Sequence, residues 1–173
     1  MQSRKISQIG VLAALAMVLS YVESLFPAFI AVPGIKIGLA NIAVIFALYR
    51  LGFKEALGIS LVRVVLSSLL FGSVLSMVYS IAGALISLVV MYLLKRSRLF
   101  GTVAVSVAGG VSHNLGQIGV ACLILQTGAI AYYVPVLILS GVASGVVIGL
   151  VSSTVLERLE EEDVECMMKR KLK

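Results

Sequence analysis

The sequence predicts an all-α integral membrane protein, a bundle of six transmembrane helices with both termini in the cytoplasm. Two observations predict this fold class. Of the 173 residues, 60% are hydrophobic and only 13% are charged, whereas a soluble protein carries roughly 25% charged residues. The apolar residues also come in long blocks, and a helix needs about 20 apolar residues to cross the hydrocarbon core of a bilayer.

Six apolar blocks define the predicted spans. They are residues 6–24, 35–49, 56–71, 74–94, 102–125 and 131–155. Proline lacks an amide donor and breaks helices, so Pro27 and Pro33 separate the first two blocks. The blocks are apolar on all sides and lack the alternation of a barrel strand. We therefore divide the chain into a membrane domain, residues 1–156, and a charged cytoplasmic tail, residues 157–173.

The basic residues predict the orientation. Twelve of the fourteen lysines and arginines lie at the N-terminus, in the turn after span 2, in the turn after span 4 and in the tail. With six spans, these four places fall on one side, and basic residues stay cytoplasmic. The net charge is +6, but the basic residues are scattered between apolar blocks and form no basic patch. This argues against nucleic-acid binding. We expect a multi-pass protein of the cell membrane.

Four polar residues fall near the middle of predicted spans. Arg63 lies in span 3, and His113, Asn114 and Gln117 share one sector of span 5. A charge at the bilayer centre costs at least ~2.5–3.5 kcal/mol, so such a residue needs a partner or a function. The guanidinium suits a carboxylate, phosphate or carbonyl group of a substrate. The alternative for Arg63 is a structural clamp between helices, and for His113 a structural hydrogen bond.

A second group of candidates lies nearer the outer side. Glu23 and Lys36 flank the first outer connection, where they contact a ligand, pair with each other or face water singly. Asn41 is a weaker candidate of the same kind. Tyr79 is the residue of a polar stripe on span 4 that we expect to reach a substrate, although packing explains the stripe as well.

Small residues recur at four-residue spacing on two spans. Gly141, Gly145 and Gly149 form one stripe, and Gly10 and Ala14 form another. Such stripes let helix backbones approach closely in lipid. Two explanations stay open, packing inside the bundle and docking of another membrane protein.

Catalytic chemistry finds little support in the sequence. Asp163 is the only aspartate, and it lies in the tail. The chain has no Walker A motif, no Ser-His-Asp set and no paired carboxylates in its spans. Cys122 and Cys166 lie in a span and in the tail, so they predict neither a disulfide nor a metal site. We expect a protein that is not an enzyme and holds no metal or cofactor.

Four stretches together resemble a known family. They are residues 33–41 (PGIKIGLAN), 61–72 (LVRVVLSSLLFG), 112–117 (SHNLGQ) and 132–135 (YYVP). They resemble the Gx transporter family, which is also labelled heptaprenyl diphosphate synthase component I. The resemblance covers nearly the whole chain except the tail.

That family is in turn similar to the substrate-binding S components of energy-coupling factor (ECF) transporters. The resemblance implies a six-helix bundle that captures a vitamin-like molecule from outside through its outer loops. It also implies a transmembrane T component and two ATPases as partners. Small residues on span 1 of S components meet the T component, and Gly10 and Ala14 would form this face.

The sequence therefore favours a substrate-binding subunit for import of a small molecule. The predicted site is a mostly apolar cavity in the outer half of the bundle, with Arg63 and the span 5 residues lining it. An alternative is a non-catalytic subunit of isoprenoid, quinone or flavin-dependent redox metabolism. Prenyl diphosphate synthases hold Mg²⁺ through aspartate-rich motifs, which this chain lacks. The third hypothesis is a scaffold protein that binds no ligand.

Overall fold

The computed structural model describes residues 2–25, 38–126 and 128–171. In these residues the chain is helical, with six α-helices and one short 3₁₀-helix, Ala129–Tyr133, before the last of them. The α-helices are α1 (Gln2–Ser24), α2 (Asn41–Arg50), α3 (Phe53–Phe71), α4 (Val74–Ser97), α5 (Thr102–Leu125) and α6 (Val134–Lys171).

Four of these helices contain segments long and apolar enough to cross a membrane, and the chain is an all-α membrane protein. The four segments are Lys5–Ser24, Val74–Ser97, Thr102–Leu125 and Val134–Glu162. Helix α3 has 19 residues, and three of them are charged. Helix α2 has 10 residues and rises only about 15 Å. Six complete spans and cytoplasmic termini remain predictions.

The helix ends lie within four residues of the predicted span ends, except at the start of span 2 and at the end of span 6. Span 2 was predicted at residues 35–49, but residues 35–37 lie outside the described part of the chain, and α2 begins at Asn41. Helix α6 continues without a break through the predicted domain boundary near residue 157. The tail is therefore helical as far as Lys171, while the division into two domains remains a prediction.

The helices pack around a common interior. Helix α5 lies between α4 and α6, and α3 contacts α1, α2 and α4. Helix α2 also contacts α6, which closes the arrangement, whereas α1 packs mainly on α2 and α3 at its edge. This order brings the polar residues of α3 and α5 to the same interior.

Glycines set the close approach of α5 and α6. A β-carbon added at Gly145 would lie 2.6 Å from the Cα of Val107, and one added at Gly110 would lie 2.5 Å from the carbonyl oxygen of Gly141. Gly149 is equally close to α5. The stripe Gly141, Gly145 and Gly149 therefore packs inside the bundle, which is the first of the two explanations the sequence left open.

The bundle has two unlike halves. We call the half that holds the turns after α2 and α4 the inner half, following the predicted orientation, and the opposite half the outer half. The inner half contains a closely packed apolar core to which every α-helix contributes. Its members with the lowest exposure include Ile45, Leu48, Ile59, Leu88 and Val105.

Charged side chains secure the inner end of the bundle. The Lys95 ammonium donates to the carbonyl oxygen of Leu48 at 2.7 Å, where the negative end of the α2 dipole favours a cation. Lys5 and Glu55 form an ion pair of 2.5 Å between α1 and the start of α3. The hydrogen bond from Lys5 lowers the pKa of the Glu55 carboxyl, which precedes predicted span 3.

Candidate ligand-binding site

A small polar cavity lies near the middle of the bundle. Its volume is about 40 Å³, and all six helices or the residues next to them supply its lining. Arg63 and His113 enter it from halfway along α3 and α5. The lining is Glu23, Gly38, Asn41, Arg63, Val64, Ser67, Ser80, Gly110, His113, Asn114, Gln117 and Ser144.

The structure brings most of the predicted site residues together here. Eight residues were predicted to bind a substrate, and six of them line this cavity: Glu23, Asn41, Arg63, His113, Asn114 and Gln117. Tyr79 lines a neighbouring cavity, and Lys36 lies outside the described residues. This is a finding about position, and the binding role of each residue remains a prediction.

Small residues on α4 and α5 place the amide of Gln117. A β-carbon at Gly83 would lie 2.7 Å from Cγ of Gln117, and one at Gly116 would lie 3.1 Å from the Cα of Gly83. The two backbones can approach this closely because neither glycine carries a side chain. Gln117 is thereby held against α4 at the edge of the cavity.

Hydrogen bonds to neighbouring helices fix both amide side chains. Asn114 donates through Nδ2 to the carbonyl oxygen of Leu137 at 2.7 Å and to Oγ of Ser140 at 3.3 Å. Gln117 donates through Nε2 to Oγ of Ser80 at 3.3 Å. The amides are therefore oriented before any ligand arrives, which reduces the entropy that binding costs.

The start of α2 contributes to the electrostatics of the cavity. The carboxylate of Glu23 accepts a hydrogen bond of 2.6 Å from the backbone N–H of Gly38, just before α2 begins. A carboxylate is favourable there because the N-terminal end of a helix carries a partial positive charge. Glu23 was predicted to contact a ligand, to pair with Lys36 or to face water, and the described contact is with the backbone.

Arg63 leaves part of its hydrogen-bonding capacity unused. Its Nε is buried and finds no hydrogen-bond partner among the residues that the structure describes. An unsatisfied buried donor costs about 1–3 kcal/mol, and more when it belongs to a charged group. The cavity therefore favours an occupant that accepts a hydrogen bond from the guanidinium.

A larger apolar cavity adjoins the polar one on its outer side. It has a volume of about 480 Å³ and lies between the outer ends of α4 and α5 and the beginning of α6. Ser80, Asn114 and Gln117 line both cavities. The remaining lining is Ser73, Leu75, Ser76, Tyr79, Ile118, Ala121, Leu125, Ile130, Tyr133 and Leu137.

This division differs from the single cavity expected from the sequence. Asn114 and Gln117 line both cavities, whereas Arg63 and His113 line the polar one alone. Sequence reasoning did not single out Ser140 and Ser144 on α6. Their four-residue spacing places them on one helix face, and this signal could have added them to the candidates.

Chemically, the polar cavity is suited to binding. The described residues contain no group of three or more His, Cys, Asp or Glu side chains that could hold a metal ion. The lining instead combines a guanidinium, two amides, an imidazole and several hydroxyls. Such a set can orient a small polar group by hydrogen bonds, with both charge signs available from Arg63 and Glu23.

The predicted docking face on α1 lies away from the cavities. Gly10 and Ala14 are exposed, and nothing lies within 4 Å of a β-carbon added at Gly10. Val11, Leu15 and Val18 are exposed along the same helix. The face is open to lipid or to a protein, and its docking role remains a prediction.

Comparison with known proteins gives a match to a protein family. A family model described as heptaprenyl diphosphate synthase component I matches residues 12–155. No curated protein and no solved structure matches the chain. The matched region begins within α1, ends within α6 and includes every residue that lines the two cavities.

Proposed function

The chain belongs to the heptaprenyl diphosphate synthase component I family, and from this premise we propose that it is a membrane-embedded substrate-binding subunit. In this proposal the protein captures a small vitamin-like molecule in its outer half. Uptake is energised by a separate ATPase module. The resemblance of the sequence motifs to the Gx transporter family, which is in turn similar to ECF S components, supports this assignment.

One observation carries the proposal, the convergence of polar side chains from all six helices on one cavity near the middle of the bundle. Polar and ionisable groups are expensive at membrane depth, and a purely structural network would satisfy each of them within the protein. Arg63 has a buried Nε without a partner in the described residues. A ligand that accepts this hydrogen bond accounts for the arrangement.

The proposed roles follow from position. Arg63 anchors an accepting group of the ligand, and Asn114 and Gln117 fix its orientation from α5. Tyr79 contacts the ligand from α4 on the outer side. Glu23, Asn41 and Lys36 act near the mouth, although the position of Lys36 lies outside the described residues.

The chain requires a partner to drive transport, and we propose that it is not itself an enzyme. It carries no nucleotide-binding motif of the Walker A type. The exposed face of α1 around Gly10 and Ala14 is the proposed contact with a transmembrane T component. Small residues on such a face allow a second helix to approach closely.

A second function is favoured by the family's description. The words "component I" describe one part of a multi-component system, which fits a non-catalytic membrane subunit of isoprenoid or quinone biosynthesis or of flavin-dependent redox metabolism. The chain itself lacks the aspartate-rich motif that holds Mg²⁺ in prenyl diphosphate synthases. In this alternative the cavity still binds a ligand but does not serve import.

The test is native mass spectrometry of the protein purified from its own membranes. We expect the wild-type protein to carry a bound small molecule, and Arg63→Ala to lose at least about 90% of it, because a charged hydrogen bond is worth roughly 1.5–3 kcal/mol. Arg158→Ala is the matched control. Its side chain is 78% exposed in the tail, and the variant should retain the molecule.

Two results would contradict the proposal. One is a wild-type protein without any bound molecule, and the other is an Arg63→Ala variant that keeps it. Gln117→Leu provides a second variant if Arg63→Ala does not fold. The two functions separate by uptake, since cells that lose the chain take up the identified molecule more slowly only if it serves import.

A further inference from the structure

We propose that the ligand is amphipathic, with one compact uncharged hydrogen-bonding group in the polar cavity and a largely apolar body, with one further polar substituent near Tyr79, in the apolar cavity. This inference rests on the proposed function, because it takes the two cavities as a binding site. It adds the chemical class of the ligand, which the motifs do not specify.

The sizes of the two cavities indicate which part of the ligand each can hold. One water-sized group needs roughly 10–15 Å³ of cavity volume, so the polar cavity of about 40 Å³ holds only about three such groups. Pockets for whole small molecules measure roughly 300–1,000 Å³, and the apolar cavity of about 480 Å³ falls in this range. The body of the ligand therefore occupies the apolar cavity.

The residues that line both cavities indicate that one molecule can occupy the two together. Ser80, Asn114 and Gln117 line both cavities, and the hydrogen bond from Gln117 to Ser80 lies where the two adjoin. A single molecule can extend from the outer ends of the helices past these residues to Arg63. Its polar group reaches the middle of the bundle, and its apolar body stays nearer the outside.

The charges of the residues that line the polar cavity favour an uncharged group on the ligand. The described ionisable residues that line the polar cavity include one guanidinium, Arg63, and one carboxylate, Glu23. Their opposite charges offset each other, so any anionic group would be repelled by the Glu23 carboxylate as well as attracted by Arg63. A hydroxyl, carbonyl or amide can accept a hydrogen bond from Arg63 without this repulsion.

Tyr79 gives independent support from the apolar side. Its hydroxyl is buried and has no hydrogen-bond partner among the described residues, and the residue lines the apolar cavity. A buried hydroxyl usually finds a partner. A ligand with a polar substituent on its apolar body would supply one.

The experiment compares three probes that share one apolar tail. They are farnesene, which has no polar group, farnesol, which has a hydroxyl, and farnesyl diphosphate. The prenyl tail is chosen because the family's description names a prenyl compound. The full chain is placed in phosphatidylcholine nanodiscs. It contains no tryptophan, so Tyr133→Trp provides a single fluorescent reporter in the apolar cavity.

We expect farnesol to bind at least about tenfold more tightly than farnesyl diphosphate, since an unfavourable charge placement of 1.4 kcal/mol is a factor of ten. Arg63→Ala should weaken farnesol but leave farnesene unchanged, because Arg63 lines the polar cavity and not the apolar one. Ala121→Phe, which fills the apolar cavity, should weaken both by about tenfold or more. Ala104→Phe is the matched control, because Ala104 is exposed on the same helix.

Three results would overturn the inference: no binding of farnesol, a diphosphate that binds as tightly as the alcohol, or Ala121→Phe without effect. Native mass spectrometry distinguishes the two levels of the account. If it finds a bound molecule but the probes fail, only the ligand class is wrong. If neither experiment detects binding, the proposed function is wrong as well.

Discussion

The inner and outer halves of the bundle differ in how completely side chains fill the space between the helices. In the inner half, Leu48, Ile59 and Leu88 are almost fully buried at 1% exposure each. The outer half contains the apolar cavity, and the polar cavity lies next to it near the middle of the bundle. The helices therefore pack against one another in the inner half, whereas space remains between them from the middle of the bundle outward.

Helix α5 shows the difference within a single element. Its inner part places Val105, which is fully buried, in the apolar core. Its middle places His113, Asn114 and Gln117 around the polar cavity. Buried polar groups without a partner lower stability, so we expect the inner half to contribute more to the stability of the bundle than the outer half.

The largest expected effect concerns which side each half faces. In a background with Cys122→Ser and Cys166→Ser, Tyr132→Cys should react with a membrane-impermeant maleimide on intact cells. Leu99→Cys should react only after lysis. Both positions are highly exposed, at 86% and 82%, so access to the reagent decides the result. Labelling of Leu99→Cys on intact cells would reverse the assignment of inner and outer halves.

The next effect compares two leucines of α4. Leu88→Ala removes a side chain from the inner core and should lower the free energy of unfolding by about 2–5 kcal/mol. Leu75 is 44% exposed and lines the apolar cavity, so Leu75→Ala should cost less than about 1 kcal/mol. Denaturation in mixed micelles measures both. Equal losses would show that the two halves are packed alike.

A smaller effect concerns glycines at and away from the α5–α6 contact. Gly145→Ala forces a β-carbon against Val107 and should cost about 1–3 kcal/mol. Gly119→Ala, on α5 with nothing within 4 Å, should instead stabilise by about 0.5–1 kcal/mol. The same denaturation experiment reports both. A neutral Gly145→Ala variant would contradict the close approach of the two helices.

Much of the fold could be predicted because the bilayer imposes simple constraints. The block at residues 102–125 matches α5 at both ends, and the block at 74–94 begins where α4 begins. Length and hydropathy decide such spans. Span 2 was less predictable, because α2 is short and packs against α3 and α6, so tertiary contacts support a helix that hydropathy alone does not define.

The candidate site was predictable only in part. The cost of polar groups in lipid marked Arg63 and Gln117 as residues that face the interior. The sequence could not show that the interior divides into two cavities, since this depends on the glycine contacts that set the distance between α4 and α5. Nor could it show that Asn114 is held by the carbonyl oxygen of Leu137, a contact between distant parts of the chain.

The most direct test of the central claim is an experimental structure of the protein purified from its own membrane, at a resolution that shows ordered water. The account predicts density that belongs to no protein atom, extending from Nε of Arg63 past Gln117 into the apolar cavity beside Tyr133. Cavities closed by side chains, with Nε of Arg63 bonded to another protein group, would contradict it.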